Sequence, residues 1–302
     1  MVYDIKKYIY VYRPHPPYNI GVFSCMDITA GDVNDKCTEE KIPAWSGSNS
    51  VVNDEKMEQR QVGFLPVLPS PVTKPNTVYT ALKNIQDVLK QLSQNAIAVS
   101  CDEGVYHIAR EIMLNRQHEF ANIVLCLGSF HMIKIVLSCI GKYIEGSGAE
   151  KVFVENGIFG ANVVKSVIAG SHYERSLTGM IMLGEVIERM QWKEFLSNSG
   201  NLEKYVDDLA IIQQMKDAFA KHERDKTKEY LKNFVEDSDP LREAFKNHKI
   251  EMATKSETFA FWNNFVTMVA LLRDLVRADR VGNWALHLNS LQQILPLFVT
   301  CD

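Results

Sequence analysis

Several features are missing from this sequence, and each absence removes a class of function. No two of the six cysteines are spaced Cys-x-x-Cys, so zinc-ribbon spacing is excluded. Positive charge is not in excess: 33 Lys and Arg stand against 37 Asp and Glu, for a formal net charge of -4. Phosphate neutralisation supplies much of the affinity of nucleic-acid-binding domains, so attachment to DNA through bulk charge is disfavoured; only a local basic patch would serve. The longest apolar stretch, MIKIVLSCIGKYI at 132–144, is short and interrupted by Lys134 and Lys142, which argues against a membrane span. The N-terminal MVYDIKKYIYVYRPHPPYN has no apolar h-region, so no secretory signal is expected. GSGAEK lacks the length and the Lys-Ser/Thr of a phosphate loop, and LGSFH lacks the paired glycines of a nucleophile elbow at Ser129. No internal repeat or low-complexity tract is present.

What is present is ordinary globular material. The chain has 302 residues, 46% of them hydrophobic. That is enough for two domains, or for one with a large appendage, and for a core that needs no disulfide. Of Cys25, Cys37, Cys101, Cys126, Cys139 and Cys301, the three at 101, 126 and 139 sit inside apolar runs. They read as reduced, buried thiols. A reducing compartment follows, so the expected location is intracellular, nuclear or cytoplasmic.

Three regions differ in pattern. Residues 1–60 read as an irregular N-terminal arm, with short strands expected at NIGVF and NSVV. Residues 61–160 read as an α/β core with a mostly parallel sheet. QVGFLPVL is expected as a strand and PSPVTKPN as a loop. Val78, Leu82, Ile85, Leu89 and Leu92 then follow at helical spacing, with Asn76 or Thr77 as the expected cap. AIAVSC, NIVLCL and KVFVE are expected as strands, separated by the helices DEGVYHIAREIML and SFHMIKIVLSCIGKYI. Alternation of this kind marks βαβ units. Residues 161–302 read as a helical region: SLTGMIMLGEVIERMQWKEFL, the long stretch from Leu202 to Asp237, FAFWNNFVTMVALLRDLVRADR, and WALHLNSLQQILPLFV, the last bent or ended near Pro296.

In an open α/β sheet, function gathers at the carboxyl ends of parallel strands. Asp102 ends AIAVSC, His131 follows NIVLCL, and Glu155 ends KVFVE. One reading is a metal or acid–base cluster, since carboxylates bind Mg²⁺ or Mn²⁺ and a histidine can ligate or shuttle a proton. The other is structural: an aspartate in front of a helix is a favoured cap, and acids suit that end of the helix dipole. His107 and Glu111, spaced i,i+4, fall on a polar face opposite Val105, Ile108 and Ile112 and read as solvated. Arg273, Arg277 and Arg280 form a basic stripe in which Asp274 and Asp279 offer internal pairing.

Taken together, IPAWSGSNSVV, GFLPVLPSPVTKPNTVYTALKNIQ, CDEGVYHIAREI, NIVLCLGSFHMIKIVLSCIGKYIEGSG, VENGIFG and LVRADRVGNWALHLNSLQQILPLF resemble a multicopy family of animal proteins without an assigned activity. The family occurs in many near-copies per genome, as reading frames of mobile elements do. The resemblance runs from about Ile42 to the C-terminus. In layout the chain is also similar to Mutator-like transposases, which have a ribonuclease-H-like core. In them an aspartate ends a strand, a helix follows, the next strand leads to a Cys-x-x-His-like motif, and a glutamate comes later on a helix. That resemblance implies catalytic roles for Asp102, His131 and Glu185, with Asp102 and Glu185 as ligands of Mg²⁺ or Mn²⁺ and Glu155 as a substitute ligand.

The chain departs from the transposase pattern in its LGSF before His131, and in having only Asp27 and Asp54 as candidates for the first acid, neither on a clear strand. The family pattern also implies chain beyond LFVTCD, and no separate DNA-binding module is seen. Two functions are therefore expected side by side: a transposase-like metal nuclease, intact or decayed, and a non-catalytic scaffold for protein partners on the same fold. A small-molecule enzyme using the strand-end crevice is a third, since one fold supports many chemistries.

Overall fold

The computed structural model describes residues 65, 67–198, 200–221, 223, 225–227, 229–230 and 239–300. The strands expected at NIGVF and NSVV, with the rest of the N-terminal arm, lie outside the described residues. So does most of QVGFLPVL, of which Leu65, Val67 and Leu68 have irregular backbone. The chain divides into two compact units; among the described residues, the first runs to Ile135 and the second starts at Val136. The described residues are mostly helical, with one small parallel sheet.

In the first unit, Pro75 opens helix α1 (Pro75–Gln91). A proline suits this position, because its missing N–H would have no partner in the first turn and its φ is preset. The proline moves the cap upstream of the expected Asn76 or Thr77. Lys74 precedes the helix in extended backbone, with no side-chain cap, and Thr77 is buried. Strand β1 (Ile97–Cys101), helix α2 (Glu103–Asn115) and strand β2 (Ile123–Leu127) follow. The strands pair in parallel, in register from Ile97 with Ile123 to Cys101 with Leu127.

Alternation along each strand sends Ile97, Val99, Ile123 and Leu125 towards Val78, Leu82, Ala109 and Phe120 of the core. The other face carries Ala98, Ser100 and Val124, all exposed. The expected α/β alternation is thus present as one βαβ unit among the described residues.

The third expected strand is corrected. KVFVE belongs to helix α4 (Ala149–Glu155), and Glu155 ends a helix rather than a strand. Periodicity cannot separate a short apolar run in a strand from one in a buried helix. Here Ala149 and Phe153, one turn apart, are the two buried positions. Gly148, at φ 90°, turns the chain into the helix from a conformation that glycine adopts without strain.

Helix α3 (Ser129–Ile144) carries the chain from the first unit into the second. There, α4 is followed by α5 (Val164–Ile168), α6 (Tyr173–Ser197), α7 (Asn201–Lys204), α8 (Val206–Ala220), α9 (Asp239–Lys255), α10 (Glu257–Val281) and α11 (Trp284–Thr300). The stretch expected as helical from Leu202 to Asp237 turns at Tyr205, which is 4% exposed in an aromatic cluster with Phe195 and Phe245, and turns again at Lys221; residues 231–237 lie outside the described residues.

Helix α10 is closed at both ends. The Ser256 hydroxyl accepts from the Phe259 N–H at 3.2 Å, and Gly282 stands at φ 67° in the C-cap. It packs against α6, α9 and α11, and Phe265, Leu272 and Leu275 along it are fully buried. Gly184 of α6 lets that helix approach α10, since a Cβ there would sit 2.8 Å from Val269 Cγ1. Helix α11 runs through Pro296 to Thr300 rather than ending at the proline. No helix among the described residues is long and apolar enough to cross a membrane.

Candidate functional site

The carboxyl ends of β1 and β2 are held close together. The Gly128 N–H donates to the Cys101 carbonyl at 2.7 Å, and a Cβ on Gly128 would lie 3.1 Å from that oxygen. Helices α2 and α3 therefore begin side by side. Between their first turns and the loop before α1 lies an open groove of about 480 Å³, lined by Val72, Thr73, Asp102, Glu103, His107 and His131 among others. Asp102 and His131, singled out by their places after the strands, share this groove.

Asp102 is the N-cap of α2. Its Oδ1 accepts the Val105 N–H at 2.8 Å, and its backbone is extended at φ -68°, ψ 166°. The carboxylate thereby satisfies a helix N–H that has no partner within the helix. His131 lies in the first turn of α3, edge-on to Phe130, with ring centroids 5.4 Å apart. Its Nδ1 is 3.8 Å from Glu103 Oε2. Glu103 is the acid that sequence reasoning missed, because Asp102 beside it explained the helix start. The available signal was its place as the first residue of a helix that begins at a strand end.

The same strand end shapes a thiol. Burial, then the neighbouring Asp102 carboxylate and Cys126, push Cys101 up to about 11. The thiolate is the nucleophilic form, so this shift works against reactivity at Cys101. None of Cys101, Cys126 and Cys139 forms a disulfide; Cys139 is buried as expected, whereas Cys101 and Cys126 are only partly buried.

The remaining predicted site residues belong to the second unit. Glu185 lies on α6 and accepts from Arg189, one turn on, at 2.7 Å; its side chain is 17% exposed. Glu155 is exposed at the end of α4, 3.6 Å from Lys151. Among the described residues, no group of three or more His, Cys, Asp or Glu side chains is placed to hold a metal ion. His107 and Glu111 are both exposed, as their face of α2 requires. Asp279, expected to pair with the arginine stripe, instead faces His287 across the α10–α11 turn. His287 Nδ1 is 2.8 Å from Oδ1, a distance that puts the proton on the ring nitrogen against the acceptor-only carboxylate.

A family model described as a domain of unknown function (DUF8702) matches residues 44–302. The chain belongs to the DUF8702 family. No curated protein and no solved structure matches it. The match spans all the described residues of the DUF8702 chain, so the groove and the described helices lie within the family's span.

Proposed function

We propose that this DUF8702 chain is a mobile-element-derived, transposase-like protein that acts as a non-catalytic scaffold for protein partners, inside the cell. Its ribonuclease-H-like ancestry is part of the same reading. That ancestry is supported by β1 ending at Asp102, by the helix that follows, and by β2 leading to His131. The observation that carries the non-catalytic role is the state of the three acids proposed for metal chemistry. Asp102 caps α2 through the Val105 N–H, Glu185 is bonded to Arg189, and Glu155 lies beside Lys151. One oxygen of Asp102 and one of Glu185 are thus engaged within their own helices, in a cap and in an i,i+4 ion pair. Among the described residues, no group of three or more His, Cys, Asp or Glu side chains is placed to hold an ion.

The second reading is a Mg²⁺- or Mn²⁺-dependent DNA nuclease or strand-transfer core using Asp102, Glu185 and Glu155, with His131 close by. It is favoured by one observation, the shared groove of Asp102 and His131. The test is to incubate the full chain with single- and double-stranded DNA and millimolar Mn²⁺, with Asp102→Asn and Asp102→Ala run beside it. The expected result is no cut or joined product in any sample. The variants should differ only in unfolding, with Asp102→Ala less stable by about 1 kcal/mol, as loss of a helix cap usually costs. Mn²⁺-dependent cleavage that disappears in a folded Asp102→Asn chain would overturn the non-catalytic reading and establish the other.

A further inference from the structure

Charge on the described arginines is mostly met by an acid or by water. Arg116 pairs with Glu119 and Arg189 with Glu185, while Arg110 and Arg175 are exposed. Arg273 and Arg277 of α10 differ. Both are half-buried, and among the described residues neither makes a hydrogen bond, an ion pair or a ring contact. None of their nitrogens is enclosed, so the stems are covered while the guanidinium heads reach the surface. Spaced i,i+4, the two are neighbours on one face of the helix, with Cβ atoms about 5–6 Å apart.

The acids that the sequence sets beside them leave them unanswered. Asp279 is held by His287 across the α10–α11 turn. Asp274, also half-buried, forms no ion pair with either arginine. Like charges at this spacing repel, and covered stems limit how far the heads can swing apart. An anion between the heads removes that repulsion. A guanidinium fork suits the oxygens of carboxylates and phosphates alike, and the count of charges narrows the choice. A phosphate monoester carries about -1.5 to -2 at pH 7 on three acceptor oxygens, so a single group can engage both forks. A carboxylate or a phosphodiester brings one charge. A nucleic-acid track commonly uses about 6–10 phosphate contacts, whereas this is one pair in a chain of net charge -4.

We propose that Arg273 and Arg277 form a binding site for one phosphate monoester, both guanidinium groups donating to its oxygens. This goes beyond the scaffold reading and does not depend on it: a nuclease could carry the same site, and phosphate binding is read without any DNA cleavage.

The test is isothermal titration calorimetry of the full chain at low ionic strength. The probes are inorganic phosphate, a phosphoserine peptide with no other charged side chain, and the same peptide unphosphorylated. Saturable one-to-one binding is expected for the two phosphorylated probes and none for the third. Arg273→Gln and Arg277→Gln should each weaken it about tenfold, as loss of a charge-assisted contact does. Asp274→Asn should tighten it, because a carboxylate that repels the ligand is gone. Far-UV circular dichroism checks the fold of each variant, and the gain in Asp274→Asn stands as a test even where an arginine variant does not fold. Tighter binding of the peptide than of inorganic phosphate supports the site and points to a phosphorylated protein as the source; the reverse order supports it and points to a small phosphate ligand. Absence of binding by both phosphorylated probes overturns the proposal, as does binding that persists in both folded arginine variants. Short single-stranded DNA without terminal phosphates that binds more tightly than the phosphopeptide, and is lost in the same variants, also overturns it and assigns the arginines to nucleic acid.

Discussion

The two units of this chain are stabilised differently. The first rests on a thin core: Val78, Leu82, Ala109, Phe120 and Ile123 are its central cluster, and the sheet there has helices on one face and exposed Ala98, Ser100 and Val124 on the other. Parallel sheets are usually covered on both faces. Polar contacts reinforce this unit from outside, with Glu119 bonded to Tyr79 and paired with Lys83 and Arg116. The second unit is built on helix-to-helix burial. Leu137, Ile140, Leu241, Phe265, Leu272, Leu275 and Ile294 are all at 0% exposure. Where burial is deep, stability sits in packing; where it is shallow, hydrogen bonds and charges at the rim carry a larger share.

The largest expected effect tests that contrast directly. Phe265→Ala should lower the stability of the helical unit by about 3–5 kcal/mol, through lost burial and the cavity left behind. Ile123→Ala in the small unit should cost nearer 2 kcal/mol, the low end for such a change, because its surroundings are shallow and can close over the gap. Urea unfolding of both variants measures the difference. Equal losses would break the comparison.

A smaller effect is expected where two helices touch by their backbones. A Cβ on Gly141 of α3 would come within 1.9 Å of the Ile168 carbonyl oxygen of α5. Gly141→Ala should therefore cost about 1–3 kcal/mol, as overpacking does, despite alanine's better helix propensity. A rise in melting temperature would show that the helices separate freely and that packing there is loose.

The smallest effect belongs to the rim of the first unit and depends on pH. The Tyr79 hydroxyl, donating to Glu119 at 2.6 Å, is the main reason that this carboxyl titrates below the usual glutamate range; Lys83 and Arg116 act in the same direction, and burial opposes them. A depressed folded value means that the contribution is fully present above the unfolded glutamate pKa of about 4.3, and is lost as pH falls through the folded value. Thermal unfolding followed from pH 7 down to pH 3 should show this loss, and Glu119→Gln should remove that part of the slope. An unchanged slope would mean that the rim contacts add nothing.

How much of this was legible in the sequence follows from the same contrast. Helices with long apolar stripes, such as α1 and α10, were readable because their periodicity repeats over several turns. So were β1 and β2, whose flanking helices framed them. KVFVE was not, since five residues carry too little period to separate a strand from the Ala149–Phe153 face of a helix. The break at Tyr205 was hidden because the cluster with Phe195 and Phe245 is formed by residues distant in sequence. At the site, Asp102 as a cap was legible from its place before a helix. The approach of Glu103 to His131 was not, because it depends on how close two strand ends come, and that is set by Gly128 against Cys101.

The double capping of α10 has a consequence in time. A helix of 25 residues, about 37 Å at 1.5 Å per residue, normally loosens from its ends. Here Ser256 and Gly282 hold both ends, and α6, α9 and α11 lie along its sides. Local fraying then gives solvent little access to its central amides, and they exchange hydrogen only when the whole helical unit opens. The amides around Phe265 to Leu275 are accordingly the slowest clock in that unit, and their exchange rate reads out its global stability.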